Sequence, residues 1–580
     1  MSFIPFILLG SLGLWLGMPN PLVQLPLLAL IYPASLYHIG TSASDWKQAL
    51  RFGWVCGLVA ASACLYWIAI PVHDFGGVPW GLAVPCPLLM GAYVGLYGGL
   101  FAVFSHLFQS LPLVRRSVLL GLIWYLLEVF RGWFLSGFPW LSLASAFAPW
   151  PAFIQGASLV GAYGLGGLYA GMVCLVAGSL EGKKTERSTL PLLAFCVSLV
   201  PVVLFTMVDL RAGVIMLFVV GAFVSWLLRR RGLPSARYVL GGLLCCFVLF
   251  TYSFTMLWKV EHEGVEPVSV ALIQGNLDQN VKWEPTMQRL TVQRYLTLSR
   301  EALAFPEPHA GRPSLLIWPE TAMPFNYEIH PVFPDQIREQ ARREGVAILL
   351  GAPGFRRNLD GSTSTFNRAY LVGADGNDIG YYEKEHLVPF GEYMPRYLDI
   401  PFLRPLLQGV GNFTPGERTD PLRGAVLSGK GENGESCLAG GGHPGGPLVL
   451  GPLICYEAIF PELARKQVQL GATLLVNISN DAWFGLSSAP EQHLQQSVLR
   501  AVEQGRWLAR ATNTGISALI APTGTISMRG DLFKAEVVAG KVVPLQEKTL
   551  FFYAEPWLPW IALICLLMLL PWNSFRKRNT

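Results

Sequence analysis

The chain has 580 residues, of which 52% are hydrophobic and only 14% charged, and its net charge is +5. Soluble domains carry about 25% charged residues and disordered chains are polar, so the composition excludes both classes for the chain as a whole. The small basic excess lies mostly between apolar runs and does not indicate a nucleic-acid partner.

The first 258 residues read as a membrane segment, since they hold only 13 of the 43 basic and 6 of the 38 acidic residues. They contain apolar runs long enough to cross a bilayer, which takes about 20 residues in a helix. Spans are predicted at 3–18, 22–38, 52–72, 82–106, 117–130, 154–179, 189–208, 212–228 and 238–258, with a last one at 556–572. Because 189–228 can also be read as one broken hairpin, the total is eight to ten spans.

Basic clusters occupy alternate loops and predict the orientation, because Lys and Arg collect on the cytoplasmic side. They fall at 47–51, 115–116, 183–187, 229–237 and 576–578, whereas the intervening loops carry only Arg131 and Arg211. With the basic loops inside, the segment after 258 lies outside the cytoplasm. The aromatic segment 131–153, which includes Trp140, is expected at the membrane boundary, as plain anchors or as a platform beneath an active site.

The domain boundaries follow from this topology. We predict a transmembrane helical bundle over 1–258 and an extracytoplasmic domain over 259–550. A transmembrane helix over 556–572 and a basic cytoplasmic tail over 573–580 complete the chain.

From about 265 to 545, short apolar runs alternate with polar helices, which is typical of an α/β fold whose strands are buried on both faces. Strands are predicted at Val268–Ile273, Ser314–Trp318, Val346–Leu350, Ala369–Val372, Leu448–Cys455, Thr473–Ile478 and Ile516–Ile520. Helices are predicted at Gln288–Leu303 and His493–Thr512. The Gly-rich stretch Phe413–Pro447 reads as a long loop.

Three residues at or between strand ends carry distinctive chemistry: Glu320, Lys384 and Cys455, in that chain order. Considered alone, each has a simpler structural explanation: Glu320 could lie in a capped turn, Lys384 could be a solvated charge, and Cys455 could be a buried packing residue. Reactive groups gather at the carboxyl ends of strands in such sheets, so we expect the three in one site. Together they suit acyl transfer: the thiolate attacks, the carboxylate moves the proton, and the ammonium stabilises the oxyanion and lowers the pKa of the thiol.

These residues also carry a family resemblance. Trp318-Pro-Glu320, Lys384 in KEHLVPFGE and Cys455 in ICYE resemble the Glu–Lys–Cys pattern of the nitrilase (carbon–nitrogen hydrolase) superfamily. With GFPW, IQGN, NDAWFG and ATNTG they are similar to the apolipoprotein N-acyltransferase family, from about residue 50 to the last helix. The resemblance implies a polytopic helical bundle topped by a periplasmic α-β-β-α domain, with Glu320 as general base, Lys384 as oxyanion residue and Cys455 as nucleophile.

The same resemblance implies further site residues. Glu392 and Glu457 would be supporting carboxylates, Tyr456 a pocket residue, and Trp483 and Trp140 lipid-facing aromatics, although packing explains the two tryptophans equally well.

Residues of the NDAWFG and ATNTG motifs have simpler readings as well. Asn480 and Asp481 read as a turn, and Arg510 as a partner of a carboxylate or of the domain's own helix.

The expected activity is N-acylation of the N-terminal diacylglyceryl-cysteine of an apolipoprotein, with a membrane phospholipid as donor, in the cytoplasmic (inner) membrane of a bacterium. No metal is expected, because the ten cysteines form no CxxC pair and the nine histidines are scattered. No cofactor is expected either. Two alternatives stay open: a membrane-tethered amidase or nitrilase that uses the same three residues to hydrolyse a small soluble amide, and a lipid-binding or transport scaffold without catalysis. The intact Glu320, Lys384 and Cys455 argue against the scaffold.

Overall fold

The computed structural model describes residues 2–180, 266–279, 281–304, 311–394, 411–424 and 448–570. These residues fall into two compact units. One contains the chain up to Ala69, from Gly81 to 180 and from Tyr553 on, and the other contains Ile70–Trp80 and the described residues from 266 to Phe552. The predicted spans 189–208, 212–228 and 238–258, the tail 573–580 and most of the predicted Gly-rich loop lie outside the described residues.

The chain up to residue 180 is helical. Its helices are α1 (Ile4–Gly17), α2 (Ile31–Ser42), α3 (Trp46–Cys64), α4 (Ala69–Asp74), α5 (Trp80–Ala83), α6 (Cys86–Leu107), α7 (Leu113–Trp133), α8 (Pro151–Ile154) and α9 (Ala157–Leu180). Within the described residues, three stretches are long and apolar enough to cross a membrane: Trp80–Leu107, Leu113–Ser136 and Ala157–Leu180. They match the predictions at 82–106, 117–130 and 154–179, and fit a membrane bundle.

Two other predicted spans take a different form. The span at 52–72 is a pair, Trp46–Cys64 and Tyr66–Asp74, that meets at a bend of 60°. The span at 22–38 is displaced: helical structure begins only at Pro26, as a 3₁₀ turn of five residues, and continues as the 12-residue helix α2. Proline lacks a backbone N–H, so it fits the first turn of a helix but not its interior.

The second unit contains two six-stranded sheets. The strands are β1 (Val268–Gln274), β2 (Leu315–Ile317), β3 (Ala347–Arg357), β4 (Thr363–Val372), β5 (Asp378–Glu383), β6 (Leu422–Arg423), β7 (Val449–Ile454), β8 (Leu474–Ser479), β9 (Leu508–Thr512), β10 (Ala518–Ile520), β11 (Ile526–Arg529) and β12 (Glu536–Val542). Their orders are β12-β1-β2-β3-β4-β5 and β11-β10-β9-β8-β7-β6. Strands β1 to β3 are parallel, as are β7 to β9.

The two sheets face each other across an apolar core. Leu272 and Ile317 of the first sheet and Ile454 and Val476 of the second all belong to it and are fully buried. Helices α10 (Pro285–Ala304) and α11 (Phe333–Glu344) pack on the other face of the first sheet through a second core. Helices α12 (Pro461–Gln469) and α13 (Ala489–Gln504) pack on the second sheet. The predicted α-β-β-α layering is confirmed, and α14 (Leu550–Ala554) and the apolar α15 (Leu558–Leu569) follow it.

One helix prediction is wrong at its end. The predicted helix His493–Thr512 stops at Gln504, because Gly505 adopts a left-handed conformation (φ +59°) that caps it. The chain then continues as strand β9, Leu508–Thr512, which is buried throughout. Strands β5, β6, β11 and β12 were also absent from the sequence prediction.

Candidate active site

Cys455 lies at the carboxyl end of a parallel strand. It directly follows β7 and begins a 3₁₀ turn, Cys455–Ile459. Its φ of +53° is in the left-handed region, which L residues other than glycine adopt rarely and at a cost of about 1–3 kcal/mol. The surrounding structure therefore has to hold this conformation.

Glu320 and Lys384 meet in one hydrogen-bonded cluster. Glu320 lies in the turn after β2, and Lys384 directly follows β5. The Lys384 ammonium lies 3.5 Å from Glu320 Oε1 and 2.9 and 2.8 Å from the two carboxylate oxygens of Glu392. Asn367 of β4 bridges the two carboxylates, donating to Glu320 Oε1 at 2.7 Å and to Glu392 Oε1 at 3.0 Å. The charges of both Glu320 and Lys384 act on the thiol of Cys455.

The two oxygens of the Glu320 carboxylate have different surroundings. Oε2 is buried and has no partner among the described residues, whereas Oε1 accepts from Asn367 and Lys384. A buried acceptor without a donor costs about 1–3 kcal/mol. Oε2 is therefore the carboxylate oxygen available to take up a proton.

The surroundings of the Cys455 thiol favour its protonated form. Burial raises the pKa of Cys455 well above its usual value, and the charge of Glu320 raises it further, against the opposing charge of Lys384. Burial also opposes the charge of Lys384, but Glu392 and Glu320 outweigh it and hold the pKa of the ammonium above its usual value. The expected effect of Lys384 is confirmed, because its charge lowers the pKa of the thiol, but burial and Glu320 together exceed that effect and leave the pKa raised.

Sequence comparisons identify the family of this chain. Residues 269–545 match the carbon-nitrogen hydrolase family, and residues 11–175 match the apolipoprotein N-acyltransferase N-terminal domain. The apolipoprotein N-acyltransferase of Geobacter metallireducens is 35% identical over 92% of this chain and 88% of its own. Those of Pseudomonas syringae pv. tomato and Azotobacter vinelandii are each 31% identical, over 93% and 98% of this chain and 90% and 95% of their own. The chain belongs to the apolipoprotein N-acyltransferase family. The resemblance inferred from the motifs is confirmed.

Glu457 connects two parts of the site. Its fully buried carboxylate accepts from the backbone N–H groups of Glu385 (2.6 Å), His386 (3.0 Å) and Ile454 (2.7 Å) and from the Tyr382 hydroxyl, 3.0 Å from both oxygens. It thus ties the loop after β5, which follows the site lysine, to the end of β7. Burial raises the pKa of Glu457 to about 7, against the backbone donors that favour its ionised form.

The aromatic residues named from the sequence lie in different surroundings. Tyr456, 7% exposed, packs edge-on against Phe460 with ring centroids 5.2 Å apart. Trp483 is half-buried and lies edge-on to Phe75, centroids 4.5 Å apart. Trp140 belongs to the other unit, where it is 2% exposed and packs against Trp67. This burial fits the packing alternative for Trp140.

Two residues beside the site escaped the sequence prediction. Asn367 lies on β4 and belongs to none of the motifs quoted above. Lys282 is 2% exposed, and burial lowers its pKa to about 8, with the charge of Glu320 acting in the opposite direction. A lysine between Val281 and Trp283, shortly after IQGN, was the signal available for it.

A second polar cluster contacts the backbone of Cys455 and is completely buried. Arg510 donates to Asp481 Oδ2 at 2.7 Å, so the expectation that Arg510 holds a carboxylate is confirmed. Asp481 also accepts from the Ser479 hydroxyl at 2.8 Å and lies 3.1 Å from His493 Nδ1. Reading Asp481 only as part of a turn missed this cluster.

Proposed function

We propose that this chain transfers an acyl group from a membrane phospholipid to the α-amine of the diacylglyceryl-cysteine that begins an apolipoprotein. The proposal rests on the family and on one observation in particular: the carboxylate of Glu320, one oxygen of which accepts no hydrogen bond among the described residues, and the paired ammonium of Lys384 both act on the buried thiol of Cys455. We assign Cys455 as nucleophile, Glu320 as general base and Lys384 as oxyanion residue. Glu392 and Glu457 are positioning residues in this scheme.

In the first half-reaction, Sγ of Cys455 attacks the carbonyl carbon of a phospholipid ester while Glu320 Oε2 takes the thiol proton. The carbonyl electrons move to oxygen, and the Lys384 ammonium stabilises the resulting oxyanion. Collapse breaks the bond to the glycerol oxygen, which receives the proton from Glu320. A lysophospholipid leaves, and a thioester remains on Cys455.

In the second half-reaction the α-amine of the acceptor attacks the thioester carbonyl. Glu320 takes a proton from the amine nitrogen, Lys384 again faces the oxyanion, and collapse releases the Cys455 sulfur. The sulfur recovers the proton from Glu320, and the product is an amide. Every proton moves between groups of the chain and its substrates, so the scheme needs no cofactor.

We further propose that the helical unit lies in the bacterial cytoplasmic membrane with the α-β-β-α unit on its outer side. The alternation of basic loops supports this orientation. Both the acyl donor and the acyl acceptor are lipids, which fits a site at the membrane. A water-poor site also favours transfer to an amine over hydrolysis.

The covalent intermediate provides the test. Incubation of the full-length protein with phospholipid alone should add one acyl mass to the peptide that contains Cys455, and a diacylglyceryl peptide should then remove it. Cys455→Ser should lose the adduct, whereas Cys86→Ser, which removes a half-buried thiol elsewhere, should retain it. An adduct that persists in Cys455→Ser would exclude this nucleophile. Equal release of free fatty acid with and without the peptide would indicate a hydrolase instead.

A further inference from the structure

His493 is fully buried on α13 and contacts the nucleophile through its backbone. Its Nε2 lies 3.0 Å from the carbonyl oxygen of Cys455, and its Nδ1 lies 3.1 Å both from Asp481 Oδ1 and from Arg510 Nη2. The amide of Asn477 donates to the same carbonyl at 3.3 Å. An aspartate, a histidine and a cysteine thus come together, as they do in cysteine-dependent triads.

The direction of the hydrogen bonds excludes a triad. A carbonyl oxygen only accepts, so Nε2 carries a proton and donates it to the Cys455 carbonyl. Its other nitrogen, Nδ1, is engaged by the ion pair, 3.1 Å from both Asp481 Oδ1 and Arg510 Nη2. Because the proton-bearing nitrogen is committed to the backbone, His493 has no free nitrogen with which to take the thiol proton.

The hydrogen bond from His493 reaches the backbone at a strained residue. Cys455 is held at φ +53°, and its carbonyl receives two side-chain donors, one from α13 and one from β8. The ion pair between Asp481 and Arg510 in turn fixes the imidazole ring on its other side. These contacts form a rigid support for a conformation that the chain alone disfavours.

We propose that His493 is a positioning residue, which holds Cys455 in its left-handed conformation through the carbonyl and so presents the thiol to Glu320 and Lys384. The inference rests on the proposed role of Cys455 as nucleophile. It assigns a function to a histidine that the acyl-transfer steps leave unused.

The test compares His493→Gln, whose side-chain amide can still donate to the carbonyl, with His493→Leu, which cannot. In the full-length protein, His493→Leu should lower kcat for acyl transfer about 10²-fold with little change in KM, as expected when a reacting atom is misplaced by about 1 Å. Alkylation of Cys455 by iodoacetamide should slow as well, and His493→Gln should restore most of both rates. Val498→Ala, a buried position on the same helix, controls for loss of stability and should keep wild-type kcat.

Three results would overturn the inference: wild-type kcat in folded His493→Leu, equal losses in folded His493→Gln and His493→Leu, or an equal loss in Val498→Ala. If His493→Leu does not fold, His493→Asn replaces it with the same expectation, since its shorter amide cannot reach the carbonyl. A wild-type protein that forms no thioester would refute the proposed function itself. A thioester that forms as fast in His493→Leu as in wild type would refute only the role of His493.

Discussion

Replacing Glu457 with glutamine tests how far one buried carboxylate holds the site together. The glutamine oxygen will take the side with more donors, where Glu385 and His386 donate their N–H groups. Its NH₂ group then faces the N–H of Ile454, 2.7 Å from the present oxygen, and this buried donor loses its acceptor. One unsatisfied buried donor costs about 1–3 kcal/mol. At about 2 °C per kcal/mol for a domain of this size, the melting temperature should fall by about 2–6 °C.

The affected N–H belongs to the residue directly before Cys455, so the rate should change as well. We expect acyl-enzyme formation in Glu457→Gln to slow by at least about tenfold, since misplaced reacting atoms cost up to about 10²-fold. Glu385→Gln is the matched control, because it removes only a half-exposed pair with Lys466, worth about 0–1 kcal/mol. Thermal unfolding and thioester mass spectrometry on the same samples provide both readouts. An unchanged melting temperature, or an equal effect in Glu385→Gln, would refute the reasoning.

Three further outcomes are expected. Glu320→Gln should fold normally, since Oε2 has no partner to lose among the described residues, yet slow acyl-enzyme formation about 10²–10⁴-fold; normal turnover would exclude the base assignment. The rate of Cys455 alkylation should keep rising above about pH 9, where an ordinary thiol of pKa about 8.5 is largely ionised. The apparent pKa of this rate should fall in Glu320→Gln and rise in Lys384→Met, and shifts in the opposite directions would contradict the electrostatic argument. In intact spheroplasts an impermeant maleimide should label Leu359→Cys and not Ser44→Cys, and the reverse pattern would overturn the orientation.

The strands that carry the site were predictable because they are buried on both faces and therefore read as apolar runs. Val268–Gln274, Leu315–Ile317 and Val449–Ile454 fall within a residue or two of their predicted ends. Strand β9 escaped for a specific reason. It contains Arg510, whose charge suggests the exposed face of a helix, whereas the side chain is buried against Asp481, 29 positions away in sequence. Sequence patterns do not reveal such a long-range ion pair.

The site was predictable only as far as its chemistry depends on residue type and chain order. Glu320 and Lys384 do meet, and Cys455 responds to both charges. The bridging role of Asn367 and the backbone bonds of Glu457 depend on strand register and loop geometry, which no local pattern encodes. The net rise in the pKa of the thiol has the same origin, since the effect of burial on a pKa is a property of the assembled fold.

The protonated resting thiol has a consequence for how charge moves in this buried site. At rest the ammonium of Lys384 faces the carboxylates of Glu392 and Glu320, and Cys455 is neutral. When Glu320 takes the thiol proton, one negative charge leaves the carboxylate and another appears on sulfur, then on the oxyanion, so the net charge of the cluster is unchanged. Creating a new buried charge would be costly, whereas relocating one next to a fixed ammonium is not. In the proposed mechanism the ammonium of Lys384 therefore changes its ion-pair partner from Glu320 to the oxyanion. Glu392 holds the ammonium in place through both half-reactions.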